Sequence, residues 1–442
     1  MTKQYSKRTG IPYLSPPGTK VAIIGTSLVQ YNSVATATKV SNYSRGPLAW
    51  AQVLGPEFTY SIWHDTTDVN GRNFTGANHG VSGQVSTEII ARLGSLIAMQ
   101  PDIVIVDNGT NEVNTDSYET IIANSEIIYK ALLRHGIRVI ILPILARAVS
   151  SWASGSEARK KAQRVNAWRR WYAAKTQGCM YFDWNQPWVD PANVDGEPLT
   201  GYSDDGIHEN VIGGYYIGKA LAAYLGGFMP PRQVRIIGQD DDYDATYNPY
   251  GNIFPNPMLQ GNTGVEGTGA TGDTATSCRI ERSIGAAVTA VSSKETRADN
   301  NGDWQVLTFT PAGAAFERFL FRTSTADMAH TFAAGTWVQA SCDVDVAAYA
   351  GWRSIQLYFK DQGTGGVTGY SLEEYSSGVL QPFPSEAWSG KLVTPPFQIV
   401  SGSTALRTRV EMELDGAVAG TPVIKVGSWR VSAVPDPREI WK

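Results

Sequence analysis

Asp205 and His208 stand three residues apart in the loop Ser203-Asp204-Asp205-Gly206-Ile207-His208. That spacing can put a carboxylate and an imidazole on the same side of one loop, the pair needed to draw a proton from a serine hydroxyl. A serine that attacks an ester also requires preorganised donors for the oxyanion that forms on the carbonyl. Three more segments supply candidates. Gly25-Thr26-Ser27-Leu28 places Ser27 directly behind a short apolar run. Asn78-His79-Gly80-Val81-Ser82-Gly83 ends in a glycine whose backbone N–H can approach a ligand closely, just ahead of a helical stretch. Asn108-Gly109-Thr110-Asn111-Glu112 offers the side-chain amide of Asn111. Asp204 competes with Asp205 as the orienting carboxylate, and the spacing to His208 favours Asp205. No Gly-x-Ser-x-Gly elbow occurs in the chain, so an α/β-hydrolase arrangement has no support.

The elements that must position these residues follow from the periodicity. Val21–Gly25 is an apolar run of strand length, and Asp102–Asp107 (DIVIVD) is continuous in the way of a parallel strand covered on both faces. Arg138–Leu145 and Met180–Trp184 complete the strand candidates. Helical segments alternate with them: Pro47–Leu54, Gln84–Met99 with the stripe Val85, Ile89, Ile90, Leu93 and Ile97, then Tyr118–Arg134, Glu157–Lys175 and Asn210–Leu225. Alternating strands and helices predict an α/β domain of three layers around a doubly wound parallel sheet. In such a sheet functional groups gather at the carboxyl ends of the strands, which is where the four segments fall.

The four segments, in this order, resemble the four signature blocks of the SGNH (GDSL-like) hydrolase superfamily. GTSL stands where that family has GDSL, GVSG matches its second block, GTNE stands for GxND, and DGIH matches DxxH. The resemblance covers roughly the first half of the chain. It implies a flavodoxin-like domain, Ser27 as nucleophile, Asp205 and His208 as its supporting pair, and an oxyanion hole from the N–H groups of Ser27 and Gly83 and the Asn111 amide. It implies no cofactor and no metal. Thr26 and Glu112 depart from the family pattern at positions outside the triad, which predicts altered hydrogen bonding in the loops. His79 is close enough to line the pocket, but a packed or solvent-facing histidine is the expectation.

The bulk composition narrows the partners. The chain has 442 residues with 42% hydrophobic and 18% charged, enough for two ordinary cores. Its formal charge is −4, and no basic stripe runs along it, so nucleic acid is an unfavourable partner. The three cysteines, Cys179, Cys278 and Cys342, are far apart and odd in number, without metal or redox spacing. No apolar run reaches bilayer length, and the basic N-terminus lacks the apolar stretch of a signal peptide. These features predict a chain that is cytoplasmic as synthesised, with no membrane partner and a possible place on a virion.

After Met229–Pro231 the pattern changes. Asp240, Asp241, Asp242 and Asp244 precede Gly-, Pro- and Asn-rich sequence, read as linker and loop. The alternate spacing of Asp240, Asp242 and Asp244 resembles a calcium loop but lacks the remaining ligands, so a solvated linker is expected. Beyond it, alternation of period two dominates. Leu406, Thr408, Val410, Met412 and Leu414 share one side of a strand, and Arg407, Arg409, Glu411 and Glu413 the other. This predicts an antiparallel β-sandwich. The expected organisation is an N-terminal extension over 1–19, a catalytic domain over 20–228, a linker over 229–275 and a carbohydrate-binding-like sandwich over 276–442. Trp337 on the polar side of a strand, and Tyr375 and Trp388 in Gly/Ser-rich loops, are the candidates for exposed rings that stack on sugars.

Together these readings predict a serine esterase that removes O-acetyl or other short acyl groups, from a polysaccharide or a small ester. A lipase- or thioesterase-type member of the superfamily stays open. So does a non-catalytic glycan-binding or virion structural protein.

Overall fold

The apolar runs of the first half become five strands, β1 (Val21–Gly25), β2 (Asn78–Gly80), β3 (Ile103–Val106), β4 (Arg138–Ile141) and β5 (Cys179–Tyr181). All neighbours are parallel, in the order β2-β1-β3-β4-β5. Every residue of β1, β3 and β4 is buried, because helices cover both faces. Pro47–Leu54 packs with Val211–Gly226, while Tyr118–Arg134 packs with Ser86–Ala91 and Glu157–Lys175. The order reverses at β1, so the crevice beyond the carboxyl ends of β1 and β3 is the topological switch point where ligands bind in such sheets.

The computed structural model describes residues 15, 18–65, 75–232, 238–313, 316–374 and 382–441. It divides into two compact units. The first comprises Met1–Ser33, Arg45–Arg232 and Arg438–Lys442, and the second Val34–Ser44 and Gln233–Pro437. Among the described residues, no helix is long and apolar enough to cross a membrane.

Two departures from the periodicity have local causes. The helical stretch Gln84–Met99 is two helices, Ser86–Ala91 and Leu93–Ala98, separated at Arg92. The Arg92 side chain turns inward, where its Nε donates to Gln84 Oε1 at 2.6 Å and its Nη2 to Gly25 O at 2.8 Å. β4 stops at Ile141, well before Leu145, and Pro143 just beyond it has no N–H for a ladder.

The second unit is a β-sandwich. One sheet runs Ser33–Thr36, Lys39–Tyr43, Thr368–Glu373, Trp352–Asp361, Ala405–Leu414, Glu317–Thr323, Cys278–Ile284, Val265–Glu266. The other runs Trp388–Val393, Trp337–Val346, Val423–Ala433, Asp303–Thr310, Thr289–Thr296, Ala270–Gly272. Most pairs are antiparallel, but Lys39–Tyr43 joins Thr368–Glu373 in parallel. The sheets meet through aromatic rings: Phe309 lies 5.0 Å from Phe319 and 5.9 Å from Trp352, and Trp429 lies 5.6 Å from Phe321. Leu406, Thr408, Val410, Met412 and Leu414 are all fully buried, as their alternation implies.

The stretch after residue 238 is ordered against this sandwich. Phe254 stacks on Trp429 at 4.7 Å, and Asn252 Oδ1 accepts the Val431 N–H at 2.8 Å. In the acidic run, Asp244 Oδ1 accepts the N–H groups of Thr246 and Tyr247, and Asp241 pairs with Arg430 at 3.0 Å. The aromatic expectation is revised. Trp337 and Trp388 are both buried, because the Phe397–Gln398 and Trp388–Val393 strands pair with Trp337–Val346 and enclose them. Tyr375 lies outside the described residues. Among the described residues the exposed rings of this unit are instead Tyr247 and Tyr250.

Candidate active site

β1 delivers Ser27 to the switch point. The strand ends at Gly25, Thr26 is extended, and Ser27 opens a four-residue helix, so its N–H is among the first-turn amides without an intrahelical acceptor. From the far side, the loop ahead of the Val211–Gly226 helix brings His208. Asn210 caps that helix by accepting the N–H groups of Ile212 and Gly213, at 3.1 and 3.2 Å, which fixes where the loop ends.

Ser27 Oγ lies 2.8 Å from His208 Nε2, and His208 Nδ1 lies 2.7 Å from Asp205 Oδ2. The other Asp205 oxygen accepts the backbone N–H groups of Ile207 and His208, each at 2.8 Å. Burial alone would raise the Asp205 carboxyl. The His208 side chain and those two N–H groups outweigh it and bring the group down to about 2. Asp204 is turned elsewhere and accepts from Asn210 Nδ2 at 2.9 Å. Ser203 closes the loop, its hydroxyl donating to His208 O at 2.6 Å and accepting the Gly206 N–H at 2.9 Å.

The candidate oxyanion donors come from the neighbouring strand ends. Gly83 has φ +77°, a conformation a side chain would strain, and no protein acceptor among the described residues takes its N–H. Asn111 Nδ2 donates to Gln84 O at 2.9 Å, which fixes the amide beside the Gly83 turn. The sequence thus brings Ser27, Asp205 and His208 into one relay and sets Asn111 against the Gly83–Gln84 turn. His79 is fully buried with Nε2 3.2 Å from Met99 Sδ, and burial pushes it down to about 3.

The departures at Thr26 and Glu112 have structural counterparts. Thr26 Oγ1 donates to Asp107 Oδ2 at 2.6 Å, so the carboxylate beside the Ser27 turn comes from the end of β3. Burial raises Asp107, and the Thr26 hydroxyl and N–H only partly offset it. Glu112 Oε1 accepts both the hydroxyl and the N–H of Ser86, the first residue of the Ser86–Ala91 helix.

Several organising residues escape a motif-based reading. Arg169 is fully buried and donates to Leu142 O at 3.0 Å, Asn108 O at 2.9 Å and Asn108 Oδ1 at 2.8 Å. Its one signal is a lone arginine on the stripe Ala158, Ala162, Val165, Tyr172. Tyr31 meets the His208 ring edge-on at 5.3 Å, and the Arg45 guanidinium lies 4.3 Å over Tyr31 while donating to Glu209 O at 2.8 Å. Among the described residues neither carboxyl oxygen of the buried Glu209 has a hydrogen-bond partner, and burial raises it to about 8.

Residues 23–213 match the model of the GDSL-like Lipase/Acylhydrolase family, so the first unit carries a GDSL-like hydrolase domain. Among solved structures the chain is similar to a GDSL-like lipase from Bacteroides thetaiotaomicron, at 21% identity, covering 47% of this chain and 88% of that chain with a TM-score of 0.34. It is similar also to a carbohydrate esterase family 3 protein from Talaromyces cellulolyticus, at 21% identity over 47% of this chain and 96% of that chain, TM-score 0.31. None of the curated proteins matches the sequence.

Proposed function

We propose that this chain is a serine esterase that removes short acyl groups, acetyl foremost, from a carbohydrate. The observation that carries the reading is the unbroken relay from Ser27 Oγ through His208 to Asp205. His208 Nε2 takes the Ser27 proton as Oγ attacks the acyl carbonyl. Asp205, held as a carboxylate, stabilises the imidazolium and keeps Nδ1 protonated. The N–H groups of Ser27 and Gly83 and the Asn111 amide receive the oxyanion. Collapse of the tetrahedral intermediate expels the alcohol, protonated by His208, and leaves an acyl-Ser27 ester. Water then attacks that ester by the same route in reverse, releasing the acid and restoring the serine.

A short acyl group fits the loops that carry these residues. Asn78–Gly83, Asn108–Glu112 and Ser203–His208 are built largely of small and polar side chains, which give a long alkyl chain little apolar surface to bury. For the carbohydrate, the support is the pair of exposed rings, Tyr247 and Tyr250, on the second unit. An acyl-length series of 4-nitrophenyl esters, followed by acetate release from acetylated polysaccharides, tests the reading. Acetyl should give the highest kcat/KM. A preference that rose steadily toward octanoyl would replace it with a lipase-type activity.

A further inference from the structure

The loop that leaves β4 touches both halves of the candidate site. Ala148 N donates to Gly206 O at 2.8 Å, and a Cβ on Gly206 would stand 2.6 Å from that of Ala148. The loop is therefore seated directly on the segment that carries Asp205 and His208. Its neighbour Arg147 reaches the other way. Nη2 donates to Thr110 Oγ1 at 2.9 Å and to Thr110 O at 3.2 Å, one residue before Asn111. The Arg147–Ala148 step thus ties the Thr110–Asn111 loop, through its side chain, to the His208 loop, through its backbone.

Its position is set before any substrate arrives. The guanidinium carbon lies 4.9 Å over the Trp152 ring. Arg159 braces the loop from behind, donating to the carbonyls of Arg147 at 3.0 Å, Trp152 at 2.8 Å and Asp195 at 2.6 Å. The charge is nonetheless left open. Among the described residues no carboxylate lies within ion-pair distance of Arg147, and its Nε and Nη1 have no protein acceptor. Burial lowers the Arg147 pKa, and Asp107 and Asp205 offset this only through the field. The Nε and Nη1 donors are not among the buried unpartnered atoms, so a half-buried cation presents them where a bound anion can exchange for water.

We propose that Arg147 is an anion subsite of the acyl-transfer centre and selects a carboxylate-bearing sugar, a uronic-acid-type unit at or beside the acylated residue. The proposal rests on the esterase reading and deepens it by naming the substrate class. A monoanionic carboxylate fits better than a phosphate dianion, because the Asp205 carboxylate already acts on Arg147 through the field and makes each further negative charge costlier. A guanidinium also supplies directional, charge-assisted hydrogen bonds to a carboxylate.

The test uses the full chain with methyl 3-O-acetyl-glucuronoside and methyl 3-O-acetyl-glucoside, which differ in a carboxylate against a hydroxymethyl group. The parent should prefer the acid by about tenfold in kcat/KM, chiefly through KM, and the preference should shrink as salt is raised. Arg147→Gln should bring the ratio to about one, whereas Arg147→Lys should keep part of it through its charge. A parent without preference, or a preference that survives Arg147→Gln, overturns the proposal. Binding of the same two sugars to Ser27→Ala and to Ser27→Ala/Arg147→Gln, by calorimetry, reads the subsite without turnover. If neither sugar is cleaved, the esterase reading falls while the ratio of the two Kd values still decides for or against the subsite. Thermal melts establish that each variant is folded before its ratio is taken.

Discussion

The arginines of the two units do different work. In the first unit Arg92, Arg147, Arg159 and Arg169 donate to backbone carbonyls and neutral side chains around the carboxyl edge of the sheet. In the second several pair with carboxylates, along one strand or on a neighbouring segment. Arg279 and Arg322 share Glu281 at 2.7 and 2.6 Å, Arg353 meets Asp415 at 2.7 Å, Arg407 meets Asp327 at 2.8 Å, and Arg318 and Arg409 meet Glu413 and Glu411. The cause lies in the sheets. An antiparallel ladder bonds its own backbone, so side chains on its outer face have one another for partners. The end of a parallel sheet breaks into loops whose carbonyls need donors, and a guanidinium can serve several at once. The consequence is chemical. Asp107, Glu112 and Glu209 lie buried with no arginine in ion-pair contact among the described residues, and desolvation raises their pKa values while nearby arginines offset it only in part.

The comparison is broken most severely at the relay. Ser27→Ala and His208→Ala should each lower turnover of 4-nitrophenyl acetate by on the order of 10³-fold or more, and the double variant should be little worse than either. A Ser27→Ala protein retaining half the parent rate would remove the nucleophile assignment. Asn111→Ala should cost about 10²- to 10³-fold in kcat with little change in KM, since the role proposed for its amide is on the oxyanion. A change confined to KM would make Asn111 a ground-state binding residue.

Stability measurements sharpen the contrast between the arginines. Arg169→Leu removes donors from Leu142 O and both Asn108 oxygens inside the core, and should destabilise the first unit by about 3 kcal/mol or more in denaturant titrations. Glu209 adds a pH signature. Its folded-state pKa of about 8 exceeds the ordinary value of 4.5, so the folded chain holds a proton that the unfolded chain has released between those values. Its contribution is therefore intact below pH 4.5 and drains away as pH rises toward 8. Glu209→Gln, which never ionises, should flatten that decline by on the order of 2 kcal/mol between pH 5 and 8. A parent whose stability is level across this window contradicts the buried, unpaired state of Glu209. The smallest effect belongs to the second unit. Arg407→Leu breaks a partly exposed pair with Asp327 and should cost less than about 1 kcal/mol. A loss as large as that from Arg169→Leu would erase the distinction.

Much of the first unit is determined by local pattern. Continuous apolar runs make buried parallel strands, and 3.6-residue stripes make the covering helices, so β1, Pro47–Leu54, Tyr118–Arg134 and Glu157–Lys175 are legible residue by residue, and β3 lies one residue inside each end of Asp102–Asp107. The candidate site residues are legible for a related reason. Each lies on a strand-end or helix-entry loop, where a glycine, amide, carboxylate or imidazole has no periodic role to disguise it. The alternation over Leu406–Leu414 likewise specifies which face of its strand is buried.

What tertiary structure alone decides is which distant segments become neighbours, since pairing energy depends on partners that no local window contains. Lys39–Tyr43, seated in the sequence between Ser27 and the Pro47–Leu54 helix, completes its hydrogen bonds on Thr368–Glu373 and so belongs to the second unit. Trp337 and Trp388 sit where their sequence surroundings suggest exposure, yet cross-strand pairing buries them. Thr26 finds its carboxylate 81 residues away on Asp107. Arg147 and Arg169 carry no motif at all: their roles follow from which carbonyls and hydroxyls the closed sheet edge leaves within reach of a guanidinium, a property of the folded edge and not of any stretch of chain.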